Sequence, residues 1–191
     1  MSTIETLTEM SARTMIARRE ISAPTRFLVG AMSPVVSWQE STLLHHGEGR
    51  AYMDSNAFRR EGATVTAYDP NSEFSERREM PCAHFHFVVS NYVLNTLPPE
   101  TRDRVRDEIL LSGTCAFISV RADFDGISGT KYADGVITSR GTFQRAFTPT
   151  EFRRYLNRSE FARRVDILAS NRNFVMARVF TESSGIPDQR Y

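Results

Sequence analysis

The sequence predicts an α/β fold on a mostly parallel sheet. From about residue 42, short apolar strand candidates alternate with amphipathic helix candidates, the order that builds a two-faced parallel sheet. Two final strand candidates flank "ASNRN", a hairpin turn that adds an antiparallel strand at the sheet edge. With 191 residues, 40% of them hydrophobic, the chain has material for one compact core and little room for a second.

Residues 4–19 place Ile4, Leu7, Met10 and Met15 near helical spacing and end in basic residues, which suits a helix C-terminus. Pro24 is expected to break that helix, with a short apolar helical turn around Phe27–Val29 before Pro34. "STLLHH" reads as a strand, "AYMDSNAFRREG" as a helix closed by Gly62, and "TVTAYD" as a β-branched strand. "AHFHFVVSNYV" runs from strand to loop. The amphipathic helix "PPETRDRVRDEILLS" follows, with proline in its first turn. "TCAFISVRAD" is a strand followed by a Gly-rich loop. "TPTEFRRYLNRS" is a helix whose Thr148 and Glu151 are spaced as a capping box. "RRVDIL" and "FVMARVF" form the closing pair. The segment 71–83 is too short and polar for a full helix plus strand, which leaves room for a sheet lacking one β–α unit there.

Charge and cysteine content narrow the function classes. Lys and Arg number 24 against 23 acids, a net charge of +1, so bulk charge gives no nucleic-acid signal. Cys82 and Cys115 form no CxxC pair and fit a reduced, cytoplasmic setting. No long apolar run predicts a membrane span, and "MSTIETLTEM" carries acids where a signal peptide would be basic.

Three elements point to a ligand. Gly47 and Gly49 follow the first strand, where a tight turn brings backbone close to a ligand at the carboxyl edge of a sheet. Asp69 ends the next strand about 20 residues beyond Gly49, the spacing at which an acid accepts ribose hydroxyls. An Asp before Pro70 also caps turns. The buried strand ending in Ser90-Asn91-Tyr92 brings an amide donor and acceptor to the same edge, although asparagine is also a capping residue.

These elements resemble the class I S-adenosylmethionine-dependent methyltransferases, and more narrowly small bacterial methyltransferases, including those associated with DNA phosphorothioation. The resemblance rests on "SAPTR" (22–26), "LHHGEGRA" (44–51) with Asp54, "AYDP" (67–70), "NYVLNTL" (91–97), "SVRAD" (119–123) and "TSRGTFQ" (138–144). It implies an N-terminal helical segment (1–34), a Rossmann-like methyltransferase domain (35–183) and a C-terminal tail (184–191). It further implies S-adenosylmethionine as cofactor, held by His45, Gly47, Glu48, Gly49, Asp69 and Asn91. Asn91 and Tyr92 would wall the reacting methyl group as catalytic residues. Asn91 stands where amino-methyltransferases begin an Asn/Asp-Pro-Pro-Tyr motif, here without its prolines. Tyr92 could stack on a planar base, but reads first as a core side chain. Asn95, Arg121, Asp123, Arg140, Thr142 and Gln144 would face the acceptor, a nucleic acid or a small polar or anionic molecule.

The departures from that pattern sit in one loop. His45 replaces an acid that helps organise the ligand's methionine end, His46 replaces Tyr, Glu48 a small Cys and Ala51 a Gly. Glu48 adds an acid that starts from a different backbone position. The chain therefore reads either as an active methyltransferase or as a catalytically degenerate one, serving ligand binding or protein interaction. No metal is expected: His45 and His46 fall at one end of the strands, and His84 and His86 at the other. The basic stretch 153–164 reads as a solvated helix face that could also touch phosphates.

Overall fold

The computed structural model describes residues 11–14, 20–50, 52–71, 77–124 and 126–182. Its main sheet has six strands: β1 (Thr42–His46), β2 (Thr64–Tyr68), β3 (Phe85–Asn91), β4 (Gly113–Arg121), β8 (Ala162–Ser170) and β9 (Phe174–Thr181). Their spatial order is β2-β1-β3-β4-β9-β8. The first four strands run parallel. β9 runs antiparallel to β4 and also pairs with β8. The antiparallel strand thus lies inside the sheet, and β8 takes the edge expected for it. The order reverses beside β1, with β2 on one side and β3 on the other, so a crevice opens at the carboxyl ends there.

Two apolar layers cover the sheet. On one face α1 (Ala23–Ala31) and α2 (Met53–Arg60) bury Leu28 and Phe58 against Leu43, Val89, Phe117 and Met176. Trp38 packs there with ring centroids 5.1, 5.0 and 5.6 Å from Phe58, Phe87 and Phe117. On the other face α3 (Pro99–Leu111) and α4 (Pro149–Leu156) bury Ile109, Leu110, Phe152 and Leu156 against Leu44, Val88, Ile118 and Val120. The Thr148–Glu151 capping box forms, and Gly62 follows α2 at φ +92°.

Pro24 opens a helix. It sits in the first turn of α1, where its missing N–H is no loss, and the Ser22 side chain accepts from Thr25 N as the N-cap. The rest of the helix expected over 4–19 lies outside the described residues apart from a 3₁₀ turn at Ser11–Thr14. So do Ala51 and the tail 184–191. Between Tyr68 and Phe85, the described residues contribute one isolated bridge, Tyr68 to Arg77, and no strand. The expected Gly-rich loop after β4 instead carries a small antiparallel sheet: β5 (Thr130–Tyr132), β6 (Gly135–Ile137) and β7 (Phe143–Gln144). Strands this short bury too few side chains to show an alternating pattern in sequence.

Candidate functional site

A cleft of about 1050 Å³ opens at the carboxyl ends of β1, β2 and β3. Its floor is the turn after β1. Gly47 and Gly49 adopt φ +76° and +69°, conformations that strain any residue with a Cβ. A Cβ on Gly47 would also lie 2.2 Å from Val93 Cγ2, inside contact distance. β2 pins the turn: Gly47 N and Glu48 N donate to the Tyr68 carbonyl at 2.8 and 3.3 Å, and Gly49 N donates to Asp69 Oδ2 at 2.9 Å. Asp69 Oδ1 accepts from Asn71 N at 2.9 Å. Each carboxylate oxygen thus holds one backbone N–H and keeps a lone pair, with Asp69 buried at the cleft wall.

Alternation along β1 sends its two histidines to opposite faces of the sheet. His45 turns to α2, where Nδ1 lies 2.8 Å from Ser55 Oγ, and Ser55 Oγ donates to Glu48 Oε1 at 2.5 Å. Since the serine proton goes to Glu48, His45 Nδ1 carries the hydrogen it shares with Ser55. Burial lowers the His45 pKa below its ordinary value, opposed by Asp54 and Glu48, so the ring is neutral at pH 7. His46 turns to α3 and donates from Nε2 to Glu108 Oε1 at 2.9 Å, which holds the Glu108 carboxyl below its usual range. Among the described residues its buried Nδ1 finds no partner. Tyr68 meets the His46 ring edge-on at 5.1 Å, and burial, with Glu108 and Asp69 nearby, pushes its phenol up to about 12.

Behind the turn lies a second buried network. Asp54 accepts from Ser22 N at 2.7 Å and Ser22 Oγ at 2.6 Å, tying α2 to the start of α1. Asn91 Nδ2 donates to Thr25 Oγ1 at 3.0 Å and lies 3.4 Å from Asp54 Oδ2; Asn91 Oδ1 accepts from Ser119 Oγ at 2.8 Å. The donor and acceptor that the sequence offers to a ligand at Asn91 are therefore engaged within the protein. Tyr92 has φ +61°, rare for a bulky residue and a mark of a site under constraint. Its ring packs against the core beside α1 while it also lines the cleft.

Solved structures with this architecture are known. Burkholderia thailandensis 1,6-didemethyltoxoflavin-N1-methyltransferase, with bound 1,6-didemethyltoxoflavin and S-adenosylhomocysteine, superposes with a TM-score of 0.60 at 18% identity, over 83% of this chain and 77% of that one. The magnesium protoporphyrin IX methyltransferase of Synechocystis PCC 6803, with bound SAM, gives 0.59 at 10% identity over 95% and 98% of the two chains. The DhpI–SAM–HEP complex gives 0.62 at 12% identity over 93% and 95%. The fold is that of a Rossmann-like methyltransferase. No protein-family model matches the chain. Comparison with curated proteins likewise finds no match.

On this methyltransferase fold the other half of the cleft is lined from β4 and the small sheet. Asn95 Nδ2 donates to Gln144 Oε1 at 3.3 Å, and Asn95 Oδ1 accepts from Arg121 N at 3.3 Å. The Thr138 and Thr142 hydroxyls share a hydrogen bond of 2.8 Å. Arg121 and Arg140 line the opening with exposed side chains, and Arg104 reaches it from α3. Asp123 is the one predicted acceptor residue outside the cleft lining. It is exposed, and its N–H is spent on the Phe147 carbonyl at 3.1 Å, because the chain turns away one residue after Ala122 joins Phe147.

Sequence reasoning missed Ser55, Glu108, Ser22 and Ser119. Ser55 and Glu108 belong to no motif; Ser22 and Ser119 open "SAPTR" and "SVRAD", but like the other two each acts only through a partner distant in sequence. Among the described residues, no group of three or more His, Cys, Asp or Glu side chains could hold a metal. His84 and His86 meet Thr114 and Thr42 at the amino ends of β4 and β1, across the sheet from His45. Among the same residues, no helix is long and apolar enough to cross a membrane.

Proposed function

We propose that the cleft binds S-adenosylmethionine and that the protein is a methyltransferase acting on a small polar or anionic acceptor. One observation carries this reading: Asp69 at the end of β2 is locked to Gly49 of the turn after β1, beside a Gly47 that tolerates no side chain. Together they form a floor and a wall for a nucleoside. Bound there, the cofactor supplies an electrophilic methyl group on a sulfonium.

The protein's own work is positional. Asp69 accepts from the ribose hydroxyls with the lone pairs its backbone donors leave free. Gly47 and Gly49 let the thioether arm pass close to the backbone, and Val93 closes over the turn. Tyr92 walls the methyl position. Arg121 and Arg140 attract an acidic acceptor, while Asn95, Gln144 and Thr142 fix the β5–β7 wall beside it. Small acceptors are favoured because a structural relative holds 1,6-didemethyltoxoflavin. The sequence resemblance to methyltransferases of DNA phosphorothioation is the support for a nucleic-acid acceptor.

Isothermal titration calorimetry with S-adenosylmethionine and S-adenosylhomocysteine tests the reading. Micromolar binding, about −8 kcal/mol, that falls at least about tenfold in Asp69→Ala with loss of a charge-assisted hydrogen-bond pair is expected. No binding at millimolar ligand would overturn it and leave a methyltransferase fold put to another use.

A further inference from the structure

Resting on the cofactor reading above, we propose that the group methylated is a carboxylate, held by Arg121 and Arg140 and converted to its methyl ester without removal of a proton. The cleft is polarised in charge. Its lining carboxylates and imidazoles (Glu48, Asp54, Asp69, Glu108, His45 and His46) belong to β1 and its turn, α2, the end of β2 or α3. β3 separates β1 from β4. Beyond it, β4, the small sheet and the β8–β9 hairpin bring arginines, hydroxyls and amides to the cleft. Among the described residues they bring no carboxylate, imidazole, amine or thiol.

The two arginines stand on pinned backbone. Arg121 N donates to Asn95 Oδ1 at 3.3 Å, and the Arg121 carbonyl accepts from Phe147 N at 3.0 Å. Arg140 sits in a turn closed by Gly141 N to the Thr138 carbonyl at 2.8 Å and by Thr138 N to the Thr142 carbonyl at 2.9 Å. Among the described residues neither guanidinium is paired with a carboxylate, so each keeps its forked donors for a ligand. A phosphate also recruits backbone N–H groups. Those of Arg121, Asp123, Thr138 and Gly141 are spent within the protein, which leaves guanidinium forks suited to a planar carboxylate.

The chemistry follows the same charge pattern. A carboxylate is ionised at pH 7 and has no proton to lose. One of its oxygens attacks the methyl carbon as the carbon–sulfur bond breaks, and the bonding pair goes to sulfur. A thioether and an uncharged ester result, so the ester loses its pairing with the arginines and leaves. A hydroxyl acceptor would need a base at this end of the cleft. An amine would arrive as an ammonium and stay cationic between guanidinium groups.

NMR titration of the protein saturated with S-adenosylhomocysteine tests this with four probes of similar shape: benzoate, neutral benzamide, cationic benzylamine and phenyl phosphate. Benzoate should bind at least about tenfold tighter than benzamide, shift the amide signals of Arg121 and residues 138–142, and bind no more weakly than phenyl phosphate. Arg121→Ala and Arg140→Ala should each weaken benzoate about fivefold and leave benzamide and S-adenosylhomocysteine within about twofold. Arg121→Lys should keep part of the preference. Arg121→Glu should turn it toward benzylamine, a reversal that a structural role would not give. Equal binding of benzoate and benzamide, no binding of benzoate, or unchanged affinities in the arginine variants would overturn the proposal. Tighter binding of phenyl phosphate would overturn the choice of carboxylate. Failure of the wild-type protein to bind S-adenosylhomocysteine while the benzoate preference stands would instead refute the cofactor reading and leave an anion site without methyl transfer.

Discussion

The two halves of the cleft are built differently. In the nucleoside half the polar side chains around the turn are buried or half-buried and tied to a partner from another element: Asp69 to the turn after β1, His45 through Ser55 to Glu48, His46 to Glu108, and Asn91 to Thr25 and Ser119. In the acceptor half, Arg121 stands exposed at the end of β4 and Arg140 in the turn between β6 and β7. The first half is preorganised for one ligand, with little to reorganise on binding. The second can change its reading of the acceptor by altering a few loop side chains without disturbing the sheet.

The sharpest way to break the contrast is at Gly47. Gly47→Ala forces a Cβ onto Val93 and into a left-handed backbone, a cost of about 3 kcal/mol. Denaturant unfolding should register it, and adding Val93→Ala should restore about 1–2 kcal/mol, the steric part. If Gly47→Ala is as stable as the wild type, the turn is not the rigid floor described.

Asn91 comes next. Asn91→Ala strips the buried Ser119 hydroxyl of its acceptor and Thr25 of a donor, which should cost about 2 kcal/mol of stability. A residue kept only to touch the acceptor would leave the melting temperature unchanged.

A smaller, pH-dependent effect belongs to His45. Its pKa is lower in the folded protein than the ordinary 6.5, chiefly because it is buried. The unfolded chain therefore takes up the proton first, and stability declines as pH falls below 6.5 through the lower folded value. Asp54, Glu48 and Asp69 oppose the shift and His46 adds to it. His45→Gln should flatten that part of the stability curve in chemical denaturation at stepped pH; an unaltered slope would mean that the ring is not buried neutral.

The smallest effect sharpens the other half. Arg140→Ala should change stability by less than about 0.5 kcal/mol and leave S-adenosylhomocysteine affinity as it was, because the side chain is exposed and away from the turn. Loss of cofactor binding in this variant would erase the distinction between the halves.

The same contrast governs what could be read from sequence. The parallel sheet, the turn after β1 and Asp69 were legible because strand periodicity, glycine conformation and the spacing of an acid are local signals. The capping box over Thr148 and Glu151 belongs with them. The role of Asn91 was not legible, since its three partners come from α1, α2 and β4 and meet only in the folded protein. Ser55 was hidden for a related reason: a serine in the first turn of a helix signals nothing until the neighbouring strand places His45 against it. The start of α1 at Ala23, ahead of the helical turn expected around Phe27–Val29, was hidden because proline can end one helix and open another. Asp123 falls outside the cleft lining because the loop direction is set by the Ala122–Phe147 bridge, which no motif announces.

The most direct test of the account is a crystal structure of the protein grown with S-adenosylhomocysteine. The account predicts the ribose on the Asp69 carboxylate, the thioether over Gly47, and the amino group on the His45 side of the turn. A ligand seated elsewhere, or with its ribose away from Asp69, would contradict it.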